Sequence, residues 1–541
     1  MNVLFYFAMG WAALIVGYKF VKPSLEGIIK PDPSRKTAAV LINDGKDYVP
    51  TSRPVLFGHH WMSIAGTSPI IAAIVGLAWG WVPAFLWMVL GVIFIGGVHD
   101  YFVTMLSTRN QGRSMGELLS ERIGKYSGKM SSILLAFGGV LVFAIFLFVI
   151  AGTLAGTPTA VIPTASLLVI AVVTGFMLRR GVSLALASAI AAALIVVSVL
   201  IGVQIPISLP METWIWIFGI YALVAIATPV WALLQPRDYL DSFVLVVALL
   251  LGILGLIFAR PAIQYPAFIS WVDPVANRPL WPMLFATISC GAASGWHSLI
   301  AAGTTSKQLK SERDGFLIAY GGMQSETVMA LVAGALIITS VSVGDFSSVL
   351  VNPGASFAAA LGQATTHLGF TAEVGATIGA LALSALTLTT MDSFARTGRY
   401  VFQELAKGTL FEKPIPSSFV VFAVGMFLYF SVPFMDLWAG LVLAGLLALV
   451  FPLTILLTEK IRLKEQMDFS FKLHVILPLI FVYVTSYGAL FYQLNNFVRA
   501  GSWVSALMVL FLMVLGAVIA VESYGVAKKP LAQDTVQAVE K

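Results

Sequence analysis

Charged side chains are scarce in this chain of 541 residues. Only 11% of the residues are Asp, Glu, Lys or Arg, whereas 59% are hydrophobic and the mean hydropathy is +0.92. A chain with so few charges cannot cover the surface of a soluble globule with polar groups. The composition therefore excludes the soluble globular class and predicts a polytopic membrane protein.

Cysteine is almost absent as well, since Cys290 is the only one in the sequence. A single cysteine excludes a disulfide framework and a multi-cysteine metal site within the chain. The HExxH, GxSxG and GxxxxGK(S/T) patterns of metallohydrolases, serine hydrolases and ATP-binding loops are also missing. We therefore expect neither an enzyme nor an ATP-driven pump, and we expect no cofactor.

Long apolar runs, by contrast, are abundant. A helix needs roughly 17 to 25 mainly apolar residues to cross a bilayer. Fifteen segments meet this requirement, which predicts an all-α polytopic membrane protein with about 15 transmembrane helices. The predicted spans are residues 2–18, 58–78, 82–107, 129–151, 162–178, 183–203, 212–234, 241–259, 283–302, 316–342, 371–390, 417–433, 436–457, 473–494 and 502–521.

Lys and Arg are distributed unevenly between alternate loops. With fifteen spans, one set of loops contains 29 of the 32 basic residues, and only Arg260, Arg278 and Arg499 lie on the other side. Because cytoplasmic loops collect basic residues, the amino terminus is predicted outside and the carboxyl terminus inside. The net charge of +6 then reflects topology, so it gives no reason to expect a nucleic-acid partner.

Three segments outside the spans carry structural signals. The proline-containing residues 19–57 are predicted to be irregular and to pack beneath the bundle. Asn352-Pro353-Gly354 predicts the start of a short helix that ends near His367 and caps the outer mouth. Residues 109–129 predict a short amphipathic helix at the membrane interface. Its expected apolar face consists of Met115, Leu118, Leu119 and Ile123.

A histidine motif occurs twice in the apolar sequence. Gly58 to Ser68 and Gly295 to Thr305 share a glycine, any residue, a histidine, five residues, then Gly-Thr followed by Ser or Thr. We interpret the two copies as halves of one polar site in a duplicated unit. Gly66 and Gly303 are interpreted either as helix breaks that expose backbone groups to a ligand or as small residues for close helix packing.

Ionisable groups inside the predicted spans are functional candidates, because an unpaired charge in the bilayer costs several kcal/mol. His60 and His297 suit substrate or proton binding, since histidine titrates near neutral pH and both donates and accepts hydrogen bonds. The alternative for each is a neutral histidine bonded to a neighbouring carbonyl. His99, Asp100 and Glu326 are candidates for a proton relay or an inner gate.

Asp392 closes the eleventh predicted span at its cytoplasmic end. A structural salt bridge to Arg396 or Arg399, one turn later, is the favoured interpretation, and ion coupling is the alternative.

The histidines also allow a transition-metal site, because imidazole and carboxylate groups bind zinc and similar ions. The candidate ligands are His59, His60, His99, Asp100 and His297.

Several short stretches between about residues 40 and 405 form a joint pattern. They are Asp47-Tyr48-Val49-Pro50, Phe57-Gly58-His59-His60, Ile64-Ala65-Gly66, Val98-His99-Asp100, Thr228-Pro229-Val230-Trp231, Leu234 to Leu240, Cys290-Gly291, Ser294-Gly295, His297 to Ile300, Gly303 to Gln308, and Asp392 with Arg396 and Arg399-Tyr400. Together they resemble the carbon starvation protein A (CstA) family of bacterial inner-membrane transporters. The chain departs from the family pattern at Trp61, where phenylalanine is common, and at Thr67-Ser68-Pro69, where Ala-Gly-Pro is common.

The resemblance implies secondary active import of short peptides, with protons as the expected coupling ion. Pyruvate or another small carboxylate is the alternative substrate, and a channel or sensor with a polar ligand site is the remaining alternative. It also implies a fold similar to LeuT, with two inverted repeats and discontinuous helices. The expected location is the bacterial inner membrane, and the expected partners are a small-molecule substrate, a proton or other coupling ion, and membrane lipid.

These inferences divide the chain and assign its residues as follows. The expected parts are 1–57, an N-terminal span and cytoplasmic loop; 58–259, the first repeat plus an extra span; 283–457, the second repeat; and 458–541, the C-terminal spans and tail. The expected substrate-binding residues are His60, Trp61, Gly66, Thr67, Ser68, Trp296, His297, Gly303 and Thr304. The expected residues for ion or proton coupling are His59, His99, Asp100, Glu326 and Asp392.

Overall fold

The computed structural model describes residues 1–45, 47–227 and 234–529. Within these ranges the chain is helical, and only isolated bridges join extended residues. Twelve helices of the described chain are long and apolar enough to cross a membrane, and the bent pair Arg53–Ala65 and Ser68–Trp79 adds a thirteenth span. The chain is an all-helical, multi-pass membrane protein.

The helices are numbered in chain order. They are α1 (Val3–Ile29), α2 (Ala38–Ile42), α3 (Arg53–Ala65), α4 (Ser68–Gly76), α5 (Trp81–Arg109), α6 (Met115–Arg122), α7 (Lys125–Gly156), α8 (Val161–Arg179), α9 (Leu184–Gln204), α10 (Met211–Ala227), α11 (Leu234–Ala259), α12 (Leu280–Thr287), α13 (His297–Ile300), α14 (Glu312–Ser340), α15 (Phe346–Val351), α16 (Pro353–Thr365), α17 (Ala372–Leu405), α18 (Pro414–Ser431), α19 (Phe434–Arg462), α20 (Phe469–Ala500) and α21 (Trp503–Ala527). Wider π-helical turns interrupt α5, α14 and α20.

Three of the fifteen predicted spans do not form one helix of spanning length in the described residues. The first, 58–78, is divided between α3 and α4. Residues 212–234 contain the 17-residue helix α10, and residues 228–233 of this predicted span lie outside the described ranges. Residues 283–302 are divided between α12 and α13 by the non-helical residues 288–296. By length and composition, the described chain therefore contains twelve or thirteen candidate spans, which confirms the fifteen-span prediction only in part.

The centre of the bundle is formed by α5, α7, α14, α17 and α19, whereas α1, α9 and α18 lie at its periphery. Two glycines allow α7 and α17 to approach closely. A Cβ added at Gly139 would lie 2.6 Å from Phe394 O, and one at Gly398 would lie 3.2 Å from Ala136 O. Small residues permit such contacts between membrane helices, and this crossing holds α17 in the core beside the first helix break.

The short helix that Asn352-Pro353-Gly354 predicts is confirmed as α16, whereas its position at the outer mouth stays a prediction. Asn352 Oδ1 accepts a hydrogen bond from Ala355 N at 3.1 Å, and Asn352 Nδ2 donates to Gly152 O at 2.7 Å. The side chain therefore caps the helix and ties it to α7.

Two predictions for the inner segments need correction. The amphipathic helix within 109–129 exists as α6, and Ser114 and Glu117 form its capping box. Its apolar residues are buried against α7, so this face covers protein rather than the membrane interface. The segment 19–57 is not irregular throughout, because α1 continues to Ile29.

Candidate functional site

The first helix break lies between α3 and α4. Gly66 has φ 25° and ψ −170°, a backbone conformation that glycine adopts readily, and the two helices bend by 51°. Thr67 Oγ1 lies 2.8 Å from Thr387 Oγ1 on α17. A Cβ added at Gly66 would lie 2.9 Å from Thr390 Oγ1 on the same helix. The break predicted at Gly66 is therefore present, and it contacts α17.

The second helix break comprises residues 288–296, between α12 and α13. Gly291 has φ 84°, and Gly295 N donates a hydrogen bond to Gly445 O at 3.0 Å. This bond connects the non-helical backbone to α19, because a residue outside a regular helix must find another partner for its N–H group. The break is thus held by tertiary contacts as well as by local sequence.

The interpretation of Gly303 as a helix break is wrong, and the alternative of close helix packing has no support, because a Cβ added there would meet no atom within 4 Å. From His297 to Gln308 the chain is helical without interruption, and Gly303 lies in a π-helical turn over Ala301–Thr305. The break precedes His297, whereas His60 precedes the break at Gly66. The two sequence motifs therefore do not occupy equivalent positions, which removes the expectation that His297 lies well inside an unbroken span.

Four ionisable side chains meet beside the second break. His99 Nδ1 lies 2.9 Å from Asp100 Oδ1, and His297 Nδ1 lies 2.8 Å from Asp100 Oδ2. His297 Nε2 lies 3.2 Å from Glu326 Oε2, and Gly291 N donates to Glu326 Oε1 at 3.2 Å. None of the four residues is more than 2% exposed. The four side chains, which α5, α13 and α14 carry, thus form a continuous buried chain that we call the His297 network.

The geometry of the His297 network suits a bound proton. An ionised carboxylate only accepts hydrogen bonds, so Asp100 requires hydrogens on Nδ1 of both His99 and His297. The contact between His297 Nε2 and Glu326 Oε2 is close but lacks hydrogen-bond alignment. With imidazolium at His297 and both carboxylates ionised, the network has one excess negative charge. Since an uncompensated buried charge is costly, this site favours uptake of one further proton.

His60 approaches the same region from α3. Its Nδ1 lies 2.8 Å from Thr305 Oγ1, and a Cβ added at Gly322 would lie 2.7 Å from His60 Cδ2. Gly322 precedes Glu326 by one helical turn, so the imidazole packs beside the His297 network. His60 is fully buried, and its Nε2 has no hydrogen-bond partner among the described residues.

We expect Thr305→Val to lower substrate uptake by about fivefold, because the His60 imidazole loses a hydrogen bond with a net value of about 1 kcal/mol. Valine keeps the shape of threonine and removes only the hydroxyl. Initial uptake rates in proteoliposomes measure the effect. Thr339→Val is the matched control, since the Thr339 hydroxyl donates to Ala335 O and Leu336 O within its own helix. Equal losses in both variants would contradict a positioning role for Thr305.

Trp296 is engaged in helix packing. Its Nε1 donates to Leu441 O at 3.0 Å, and its ring lies edge-on to Phe394. Added Cβ atoms at Gly138 and Gly445 would both collide with the indole. These packing contacts explain why the ring of Trp296, a residue predicted to bind substrate, is buried.

Other predicted residues differ in their surroundings. Trp61 is partly buried and its Nε1 has no partner among the described residues, whereas Ser68 is 8% exposed. A Cβ added at Gly303 would meet no atom within 4 Å. His59 is exposed and lies outside the His297 network. The structure thus brings His297, His99, Asp100 and Glu326 together and leaves His59 apart.

The expected salt bridge of Asp392 with Arg396 or Arg399 is wrong. Arg237 Nη1 lies 2.6 Å from Asp392 Oδ2, and the Tyr221 hydroxyl donates to the same oxygen at 2.9 Å. Arg396 Nη2 instead donates to Ala225 O, and the Arg399 guanidinium lies over the Tyr400 ring. Asp392 is fully buried in α17, so its partner comes from another helix.

Of the five candidate metal ligands, His99, Asp100 and His297 meet in the His297 network, whereas His59 and His60 lie outside it. Within residues 1–45, 47–227 and 234–529, no group of three or more His, Cys, Asp or Glu side chains is arranged to hold a metal ion. Because His60 bonds to Thr305 and His59 is exposed, the geometry gives the metal hypothesis no support.

Comparison with known families identifies the family of this chain. The model of the carbon starvation protein CstA family matches residues 2–355, which include both helix breaks and the His297 network. The chain belongs to the CstA family. The family motif at Thr228 to Trp231, noted in the sequence, lies outside the described residues.

Relatives in this family include named transporters. The chain is 34% identical over 372 residues to "Peptide transporter CstA" of Escherichia coli K12, covering 66% of this chain and 51% of that protein. It is 35% identical over 343 residues to "Pyruvate/proton symporter BtsT" of the same organism, covering 60% and 48%. The Bacillus subtilis peptide transporter CstA is 30% identical over 390 residues, covering 70% and 65%. The chain spans about half the length of its E. coli relatives.

The fold of this CstA-family chain is also similar to solved structures. The manganese transporter of Eremococcus coleocola, in its complex with an aromatic bis-isothiourea compound, gives a TM-score of 0.51 at 10% identity, with 87% of this chain and 94% of that chain covered. A mutant of the same transporter gives 0.52 at 11% identity, with 90% and 99% covered. At such low identity the likeness concerns the fold alone.

One group of polar residues in this CstA-family chain is missed by sequence analysis. The predicted spans 212–234 and 241–259 leave residues 235–240 in a loop, but α11 begins at Leu234 and buries Arg237 completely. Arg237 and Asp241 are four residues apart, which places them on one helix face. That spacing is the only local indication that Arg237 and Asp241 share a helix. Nothing in the neighbouring sequence indicates their partners on α10 and α17.

Proposed function

We propose that this chain is a secondary active transporter that imports short peptides together with protons. The observation that carries the proposal is the His297 network, a buried carboxylate–imidazole–carboxylate chain beside a helix break. Ionisable groups at membrane depth are expensive to bury and commonly mark ion or substrate pathways. The peptide transporters among the relatives support the substrate class.

Pyruvate or another small carboxylate is the second candidate substrate. The 35% identical relative named as a pyruvate/proton symporter supports it, and it also supports protons as the coupling ion. A peptide and pyruvate share a carboxylate group, which a protonated His297 could attract. The partly buried Trp61, with its free Nε1, and Ser68 and Thr67 at the first break are the groups that we assign to substrate selection.

In the proposed mechanism, His297 connects two sites of negative charge. Protonation of the His297 network removes its excess charge and permits substrate to bind between the two breaks, where the helices are interrupted. When the proton is released, the network regains its excess negative charge, and the substrate-bound state becomes less favourable. The proton thereby shifts the balance between outward and inward states, which is the requirement for coupled transport. His60 positions the α3 side of the site through Thr305.

The proposal includes the finer topology. We infer fifteen spans, counting α10 and the broken α12–α13 segment, with the amino terminus outside and the carboxyl terminus inside the bacterial inner membrane. Two inverted LeuT-like repeats within 58–259 and 283–457 would place the two breaks in antiparallel spans. Residues 1–57 and 458–541 would flank the repeats and contact lipid.

Uptake into proteoliposomes tests the function. Purified protein is reconstituted, and uptake of dialanine, trialanine and pyruvate is measured under an imposed inward proton gradient, with a sodium gradient of equal size as comparison. Saturable accumulation of a peptide with the proton gradient supports the proposal, and accumulation of pyruvate alone selects the second candidate. Accumulation driven only by sodium would refute proton coupling. Ion conductance without accumulation would indicate a channel.

A further inference from the structure

A second polar cluster lies where α10, α11 and α17 meet, apart from the His297 network. Arg237 Nη1 on α11 donates to Asp392 Oδ2 on α17 at 2.6 Å and to the Tyr221 hydroxyl on α10 at 2.5 Å. Thr389 Oγ1 lies 2.6 Å from Asp241 Oδ2 and 3.1 Å from Asp238 Oδ1. We call these residues the Arg237 cluster.

The guanidinium of Arg237 is only partly used. Its Nε and Nη2 have no hydrogen-bond partner among the described residues, although the side chain is fully buried. Both atoms point into the acidic group, with Nη2 at 3.5 Å from Asp238 Oδ1 and Nε at 3.6 Å from Asp241 Oδ2. A buried N–H group without a partner is costly. Among the described residues, the carboxylates of Asp238 and Asp241 therefore offer Arg237 a second set of acceptors, close to hydrogen-bond distance.

The charges of the cluster do not balance. The groups that face it are Arg237, Asp238 and Asp241 from α11, Asp392 and Arg396 from α17, and Tyr221 from α10. Three carboxylates thus face two guanidinium groups, which leaves one excess negative charge. The helix α16, which packs against α11, has no titratable side chain, and Arg180 at the end of α8 is exposed.

One proton removes this excess. Asp241, Asp392 and Arg237 are fully buried, whereas the Asp238 side chain is 36% exposed. An uncompensated charge at membrane depth is costly, and Asp238 provides a route by which a proton reaches the buried pair. We propose that Asp238 and Asp241 share a second coupling proton, and that its release transfers Arg237 from Asp392 to these two carboxylates.

The change in the partner of Arg237 links this proton to the first helix break. In the protonated state Arg237 pairs with Asp392, as observed. When the proton leaves to the aqueous phase, the two ionised carboxylates attract Nε and Nη2, and the Asp392 pairing weakens. Asp392 and Thr389 lie on the same turns of α17 as Thr387 and Thr390, which contact Thr67 and Gly66. A change in pairing thus acts on the helix that holds the break. This inference depends on the proposed proton-coupled transport.

Two uptake assays of Asp241→Asn test the inference. We expect accumulation driven by a proton gradient to fall by about tenfold, within the usual range of coupling between two sites. Substrate counterflow, which exchanges labelled for unlabelled dialanine or pyruvate without a gradient, should stay within about twofold of wild type. The matched control is Asp436→Asn, which alters an aspartate of α19 that bonds to Ser505 at 3.0 Å. This control should leave both assays unchanged.

Infrared difference spectroscopy between high and low pH provides a readout that does not depend on transport. The carbonyl band of a protonated carboxylic acid should appear in wild type and in Asp436→Asn, and it should decrease in Asp241→Asn. Asp238→Asn is the second variant if Asp241→Asn does not fold, and the same loss is expected. Unchanged accumulation together with an unchanged band would overturn the inference, and so would restoration of accumulation by sodium alone. If wild type accumulates none of the substrates, the proposed function fails, and the band still decides whether the cluster binds a proton.

Discussion

Gly295→Ala is expected to reduce the amount of folded protein severely. An added Cβ would lie 2.5 Å from Leu449 N and 2.6 Å from Ala448 C, and it would also collide with Gly445 O. All three atoms belong to the backbone of α19, so no side-chain rotation can relieve the contact. The expected cost is about 3 kcal/mol or more, at the upper end of overpacking, and the bond from Gly295 N to Gly445 O would be lost as well.

Gly303→Ala is the matched control within the same motif. No atom lies within 4 Å of a Cβ added there, and alanine is favoured over glycine inside a helix by about 1 kcal/mol. Expression level and thermal unfolding in detergent distinguish the two variants. We expect Gly303→Ala to match or exceed wild type. Similar behaviour of both variants would contradict the position of the second break.

His297→Gln is expected to lower proton-driven uptake by at least about 100-fold. Loss of one partner from a buried ion pair costs about 3 to 5 kcal/mol, and here Asp100 and Glu326 would both lose the cationic group between them. Glutamine keeps a hydrogen-bonding amide but cannot carry the proton. Initial rates of uptake under a proton gradient, normalised to the amount of reconstituted protein, measure the loss.

His474→Gln provides the control for this substitution. His474 is also a fully buried histidine, but it lies in α20, where its ring stacks on Phe94 and its nitrogens have no hydrogen-bond partner among the described residues. We expect uptake within about twofold of wild type, as for a substitution outside the coupled groups. If His297→Gln transports as well as His474→Gln, the network has no role in coupling.

Much of the fold follows from local sequence. Apolar runs predict the spanning helices, and Asn352 before Pro353 predicts the capped start of α16. Because ionisable residues are rare in the apolar segments, the sequence also identifies His297, Asp100 and Glu326 as candidate site residues. These predictions succeed because burial in a bilayer constrains each residue type strongly.

The location of the second break could not be predicted in this way. Gly291, Gly295 and Gly303 all lie in the same segment, and each could interrupt a helix. The choice depends on Gly445, in a distant part of the sequence, which accepts the hydrogen bond of Gly295. Local propensity therefore indicates a break near the histidine, and tertiary contact places it before that residue.

The partner of Asp392 is missed for a related reason. A hydropathy criterion assigns charged residues to loops, so it places Arg237 outside the membrane. Arg396 and Arg399 are then the nearest cations in sequence. In the structure, residues 155 positions apart form the bond, and burial of the guanidinium is tolerated because Asp392 and Tyr221 both contact it. Sequence distance is a poor guide to pairing in a bundle of this size.

Proton movement measured together with substrate uptake tests the central claim most directly. Proteoliposomes containing wild type or Glu326→Gln are given dialanine or pyruvate, and external pH and internal substrate are recorded simultaneously. We expect wild type to move protons inward in proportion to substrate, and Glu326→Gln to exchange substrate with no accompanying proton flux. Substrate uptake by wild type without proton movement, or an unchanged proton-to-substrate ratio in Glu326→Gln, would contradict the assignment of the His297 network as the coupling site.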